Sequence, residues 1–216
     1  MALNITGTTG ISGVDGSVSA PALTGTDSNT GITFPAADTI KFSTGGVERM
    51  QITNSGVTGT GVGGKFASYA IICDQKSQGT TGGTPPNTTA YNTRDLNTEL
   101  ADADGIVSIS SNQFTLQAGT YYIKAQACAI NVNNHTAKIR NITDSSDTLI
   151  GNSNKTQPSS NNVSAYALVQ GSFTIAAAKT FELQHRCADT QTTHGFGAYN
   201  GFSANVYATV EIYKRN

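Results

Sequence analysis

The sequence predicts an all-β protein, a sandwich or jelly-roll head preceded by a glycine-rich β shaft. Three observations carry that expectation. Apolar residues recur with period two between turn-forming residues, as half-buried strands require. No amphipathic helix of normal length can be drawn. Glycine reaches 23 residues, Trp is absent, only 12% of residues are charged, and Thr, Ser and Asn fill most polar positions. Such a makeup favours strands and turns.

Residues 1–30 read as an attachment or linker segment, with glycine every few residues. Over residues 31–62 three short alternating runs, Ile32–Phe34, Ile40–Phe42 and Arg49–Thr53, are separated by Pro35, Asp38 and Gly45-Gly46, the pattern of a small β meander or collar. Large apolar residues are too few there to offset the entropy of ordering the backbone. This stretch is therefore expected to intertwine with partner chains. Gly61-Val-Gly-Gly64 marks the boundary, and residues 65–216 form the head.

In the head, the run from Lys65 to Cys73 places Tyr69 and Ile71 on one face and Ala70 and Ile72 on the other. A polar loop spans Gln75–Thr89, and Tyr91–Leu100 resumes the strand pattern. Ile106–Ser110 and Gln113–Leu116 are short strands, and Ala118-Gly119 turns the chain into the long strand Thr120–Ile130. His135–Arg140 and Thr148–Gly151 follow, then the longest polar loop, Asn152–Asn162. Ser164–Ile175 is a strand-pair region, and Thr180–Cys187 alternates cleanly. A second long loop covers Ala188–Gly201, and the last strand sets Val206, Ala208, Val210 and Ile212 against Tyr207, Thr209, Glu211 and Tyr213. About eight to ten strands at this spacing suit a sandwich.

The first, central and last of these strands carry apolar or aromatic residues on both faces. One face of a sandwich sheet normally meets water and should be polar. A second layer of burial is implied, and another copy of the chain is its simplest source. Tyr69, Ile71, Tyr122, Gln126, Cys128, Tyr207 and Tyr213 are the residues expected at the interface with that other copy.

A series of motifs then resembles a known family. It comprises Tyr91-x-x-Arg94-Asp95-Leu96-Asn97-Thr98, Gly105-Ile-Val-Ser108 and Phe114-Thr-Leu116-x-Ala-Gly119-Thr-Tyr121. Asn134-His135-x-Ala-Lys-Ile-Arg140-Asn-x-Thr143-Asp144 and the later Gly151 continue it. It resembles the C-terminal heads of bacteriophage tail-fibre and related virion fibre proteins, which look like the trimeric tumour-necrosis-factor and complement-type jelly roll. Ser28–Ile40 and Gly45–Ile52 are similar to collar and shaft segments of those proteins. Tyr91 stands where such heads often carry Trp. The resemblance implies a homotrimer with the sheet of the first, central and last strands facing the threefold axis, and no catalytic role for the motif residues.

A net charge of −1 gives no electrostatic case for nucleic acid or an anionic membrane. No apolar run reaches the length of a membrane helix, and Met1-Ala-Leu-Asn4 lacks the features of a secretory signal, so synthesis in a host cytoplasm is expected. Cys73, Cys128 and Cys187 are far apart and odd in number, which predicts free packed thiols and no zinc site. The sequons at Asn87, Asn134, Asn141 and Asn162 mean little without a secretory route. Glu99, Asp102 and Asp104 read as a polar turn ending in Gly105, since no regular calcium loop follows. His135 and His185 read as packed strand residues and Arg94 with Asp95 as a structural pair. No nucleophile-elbow sequence is present, and the chain is too short for the β-helix of a glycan depolymerase.

The expected function is therefore non-enzymatic: a trimeric phage fibre whose head binds the host surface, a glycan or a protein, with no cofactor or metal. The N-terminal segment would join other virion proteins of the tail or capsid. The alternative is a purely structural virion fibre, or a capsid-attached head fibre, that trimerises and caps without receptor binding. Loops carry binding function on rigid β scaffolds. Asn154, Lys155, His194, Phe196 and Tyr199 are the receptor-binding candidates, with intersubunit packing as an equal reading for Phe196 and Tyr199.

Overall fold

A computed structural model describes residues 15–59, 66–157 and 163–215. Residues 1–14 of the expected linker, the glycines at 61–64 and the sequon at Asn162 lie outside them. Two compact units are present, Met1–Lys65 and Phe66–Asn216. Every regular element among the described residues is a strand.

In the first unit, β1 (Gly16–Ser17) and β2 (Ala20–Pro21) make a small hairpin. Then β3 (Leu23–Thr24), β4 (Gly31–Ala36), β5 (Thr39–Thr44), β6 (Val47–Thr53) and β7 (Gly56–Gly59) form one antiparallel sheet in sequence order. This is a meander, and its turns sit where Asp38, Gly45 and Gly46 adopt positive φ. The register sorts the side chains into two faces. Leu23, Ile32, Phe42 and Met50 form one row and Ile40, Ile52 and Val57 the next, so this face is apolar throughout. Thr33, Lys41, Gln51 and Thr58 form a row of the other face, where Lys41 Nζ lies 2.7 Å from Glu48. The fully buried residues described here are Thr33 and Ser43, both polar.

The second unit contains β8 (Phe66–Lys76), β9 (Asn92–Thr93), β10 (Thr98–Ala101), β11 (Val107–Ser110), β12 (Gln113–Leu116), β13 (Gly119–Ile130), β14 (Asn134–Asn141), β15 (Ser146–Lys155), β16 (Ser164–Ile175), β17 (Lys179–Cys187) and β18 (Asn205–Arg215). One sheet runs β10-β8-β18-β13-β16 and the other β11-β12-β17-β14-β15, with β9 also on β17. Antiparallel neighbours that jump between distant parts of the chain in two sheets are the jelly-roll pattern. The expected first, last and central strands, β8, β18 and β13, lie side by side.

Between the sheets lies one core. Tyr121, Ile123, Ala125 and Ala127 enter it from β13, Ala70 and Ile72 from β8, and Ala208, Val210 and Ile212 from β18. Phe114, Leu116, Ala137, Ile139, Phe181 and Leu183 enter from the other sheet. Phe114 and Phe181 pair across their strands with rings 5.5 Å apart.

The structure corrects several boundaries. Tyr91–Leu100 is not one strand but β9 and β10, because the segment between them leaves the ladder and buries Arg94 and Leu96. The expected loop from Asn152 begins later, since β15 continues to Lys155. Ser164–Ile175 is a single strand paired along its whole length with β13. The alternation of the last strand breaks at a register shift between Val206 and Ala208.

Candidate functional site

Three surfaces of the head present groups suited to recognition, and an interior cluster braces them. The outer face of the first sheet follows from period two: where Ala70, Ile123 and Ile212 point inward, their neighbours point out. Tyr69, Tyr213 and Tyr122 are direct cross-strand partners in one row, with ring centroids 6.5 and 6.3 Å apart. Ile71, Glu211 and Lys124 form the next row, and Lys124 Nζ lies 3.4 Å from Glu211. Gln126 faces Leu168, which is exposed. Tyr69 keeps 53% of its surface exposed. Of the expected interface residues, Tyr69, Ile71, Tyr122, Gln126 and Tyr213 lie together on this face.

Two others do not present themselves there. Cys128 is buried opposite Tyr166 in the β13–β16 ladder. Tyr207 is buried because the register shift turns it out of the alternating row. Its ring packs where a Cβ on Gly197 would come within 2.0 Å, and its hydroxyl donates to Thr80 O at 2.7 Å. Gly197, with φ of 141°, is held by that close approach.

The second surface is the loop end. The expected loop from Gln75 begins only after Lys76, where β8 ends, and it is stitched to the loop Ala188–Gly201: Gly82 N–H donates to Gly197 O, Phe196 N–H to Gly83 O, and Thr193 N–H to the Thr84 hydroxyl. Phe196 is therefore a buried residue, not an exposed recognition aromatic. His194 is half-buried, its Nδ1 2.9 Å from the Thr193 hydroxyl. Tyr199 is exposed, and Phe202, which the sequence did not single out, is 89% exposed.

Behind these loops sits Arg94, fully buried. It donates Nη1 to Cys128 O at 3.0 Å and Nη2 to Phe196 O and Tyr207 O at 3.1 and 3.2 Å. Its nearest carboxylate is Asp74, 3.8 Å away, not its neighbour Asp95, which pairs with Lys76. The expected Arg94–Asp95 pair is thus replaced by two separate ones. Burial pushes the Asp74 carboxyl up despite the nearby Arg94 and Lys76. The guanidinium lies 4.1 Å from the Phe196 ring centroid, and that ring stacks on His185 at 5.5 Å. His185 Nε2 is 3.0 Å from His135 Nδ1. Burial lowers His135 to about 4, and burial with the Arg94 charge holds His185 well below the ordinary value. Both histidines are therefore neutral packing groups at neutral pH. The three cysteines are free and buried, and burial pushes the Cys187 thiol up to about 12.

The third surface is a groove of about 610 Å³ at one end of the second sheet, lined by Thr136, Ser153, Asn154, Arg186, Asn134 and Thr88 among others. Asn154 lines this groove, and its neighbour Lys155 is the cross-strand partner of the lining residue Asn134 without lining the groove itself. Among the described residues no hydrogen bond, ring contact or ion pair joins them to His194 or Tyr199. No cluster of three His, Cys, Asp or Glu side chains suited to a metal occurs among the described residues. Asp102 serves a turn instead, accepting from the N–H groups of Ile106 and Val107 at 2.8 and 3.0 Å.

No protein-family model and no curated protein matches the chain. Among solved structures, it is similar to the globular domain of a zebrafish complement 1qA protein, at 13% identity and a TM-score of 0.42, covering 69% of this chain and 99% of that one. It is also similar to murine APRIL at pH 5.0, at 6% identity and a TM-score of 0.45, covering 68% of this chain and 98% of that one. The jelly roll itself rests on the strand order described above.

Proposed function

We propose that the protein is a non-enzymatic homotrimeric fibre of a bacteriophage virion, whose head binds the host surface. The observation that carries the trimer is the tyrosine row on the outer face of the first sheet. Tyr69, Tyr213 and Tyr122, with Ile71 and Leu168 near them, make a surface of aromatic and aliphatic side chains where a monomer would set polar ones. The N-terminal sheet supports the same assembly, because its apolar face buries no residue fully within one chain. The phage virion is supported by the motif series from Tyr91 to Gly151 and by the collar-like run from Ser28 to Ile52. Three heads on one fibre would raise avidity above the affinity of a single site.

The test begins with light scattering on the full chain, which should give a trimer. Tyr213→Asp should shift it to monomer, since a carboxylate at a desolvated interface costs several kcal/mol (order of magnitude). Tyr207→Asp instead should damage the protomer itself. A stable monomer at micromolar concentration would remove the proposal. Purified trimer should block phage adsorption to its host. A trimer without that effect would leave a structural fibre or cap.

A further inference from the structure

The second sheet keeps its outer face free if the first sheet forms the trimer, and its cations there are treated unequally. Lys138 Nζ lies 2.8 Å and Arg140 Nη1 2.9 Å from Asp147, and Lys179 Nζ 2.5 Å from Asp144. Arg186 is exposed and, among the described residues, has neither an ion pair nor a side-chain hydrogen bond. The Lys155 ammonium, across the ladder from Asn134, is likewise without a carboxylate among the described residues.

The surroundings of Arg186 differ from those of a solvated lysine patch. Thr136 is its direct partner on β14, and Ser153 is the partner of Thr136 on β15, so guanidinium and two hydroxyls form one row on the outer face. Thr88, Asn134, His135 and Asn154 complete the polar lining, and among the described residues no carboxylate lines the groove. Asn154 Nδ2 is already committed to Tyr166 O at 2.9 Å, which fixes that amide rather than leaving it to solvent. A guanidinium offers a planar fork that matches an oxyanion in bidentate fashion. Hydroxyls and amides around it match a polyhydroxylated ligand. The volume of about 610 Å³ falls within the range of small-ligand sites.

We infer that this groove is a binding site for an acidic saccharide. Arg186 takes the carboxylate or sulfate, and Thr136 and Ser153 take ring hydroxyls. The site deepens the host-surface reading and rests on it, naming where that contact is made and with what chemistry.

Calorimetric titration of the full chain tests the site, with hyaluronan hexasaccharide for a carboxylate, chondroitin sulfate hexasaccharide for a sulfate, maltohexaose as the neutral sugar, and inorganic phosphate. At least one acidic hexasaccharide should bind, more weakly as salt rises, and at least tenfold more tightly than maltohexaose. Arg186→Gln should weaken it at least tenfold, and Arg140→Gln should leave it unchanged. Thr136→Val should weaken the hexasaccharide and not phosphate. The inference is overturned if neither acidic sugar binds, if maltohexaose binds equally, if phosphate binds as tightly as the sugars, or if Arg186→Gln binds as before. Adsorption assays separate it from the reading beneath it. Equal blocking by wild type and Arg186→Gln would sink the groove and keep host binding. Sugar binding without any block of adsorption would keep the groove and sink host binding.

Discussion

In the N-terminal sheet the fully buried side chains are Thr33 and Ser43, whereas in the head they include Phe114, Tyr121, Ile123 and Phe181. Both units are antiparallel β structure with turns of similar chemistry. They differ in layers. The head has two sheets that bury each other's apolar faces, whereas in the N-terminal unit no apolar side chain on the face from Leu23 to Val57 is fully buried. Hydrogen-bonded strands are thus not sufficient for a stable domain; an apolar face needs a second layer. The head is a domain by its own packing.

The most severe way to break this contrast is to separate the units. Residues 66–216 alone should unfold in a single cooperative transition, and residues 1–65 alone should show none at micromolar concentration, both followed by circular dichroism. A cooperative monomeric transition in the shorter piece would end the argument. A finer test compares point variants. Ile123→Ala should destabilise the head by about 2–5 kcal/mol at every protein concentration. If the proposed assembly covers the apolar face that holds Phe42, Phe42→Ala should lower the stability of the full chain by an amount that depends on concentration. Equal behaviour of the two would blur the distinction.

A smaller effect sharpens it further. The histidines lie in the head, at 135, 185 and 194, and none precedes them. In the folded head His135 and His185 resist protonation, while in the unfolded chain they take protons near pH 6.5. Stability present above that pH should therefore fall as the pH drops toward about 4. Urea midpoints across this window should decline for the isolated head, and His135→Asn should flatten part of the decline. A midpoint that rises on acidification would contradict neutral burial of the pair.

How much of this could be read from the residues alone depended on period two. Thr120–Ile130 declared its inward face through Tyr121, Ile123 and Ala125, and its outward face through Tyr122 and Gln126, so the core strand and the suspect surface were both legible. Where the alternation failed, so did the reading. Tyr207 was assigned to the outer row because a register shift leaves no mark in the sequence. For Phe196 the residues alone leave receptor contact and intersubunit packing equal, and its burial within the protomer is foreshadowed only by its flanking glycines, Gly195 and Gly197, a signal of close packing. Arg94 was harder, since a charge in a strand-like run ordinarily marks solvent; what holds it inside are three carbonyls from distant segments. Asn154 and Lys155 were named from their loop, and Arg186 was passed over as one polar position on a regular strand. Only the ladder joining Thr136 to Arg186 and Ser153 brings Asn154 and Arg186 into one groove.

The Arg94 clamp also sets a timetable. Its three carbonyls lie 34, 102 and 113 residues further along the chain. The strand that opens the head, β8, is paired with the strand that closes it, β18. The Arg94 bond to Tyr207 O and the β8–β18 ladder cannot form until the last strand has emerged, and such distant pairings make folding slow. The local ladders of the N-terminal sheet can form long before, yet they hold an uncovered apolar face while they wait. The interval between the two is when the nascent chain is most exposed to aggregation, and rapid encounter of sibling chains would shorten it.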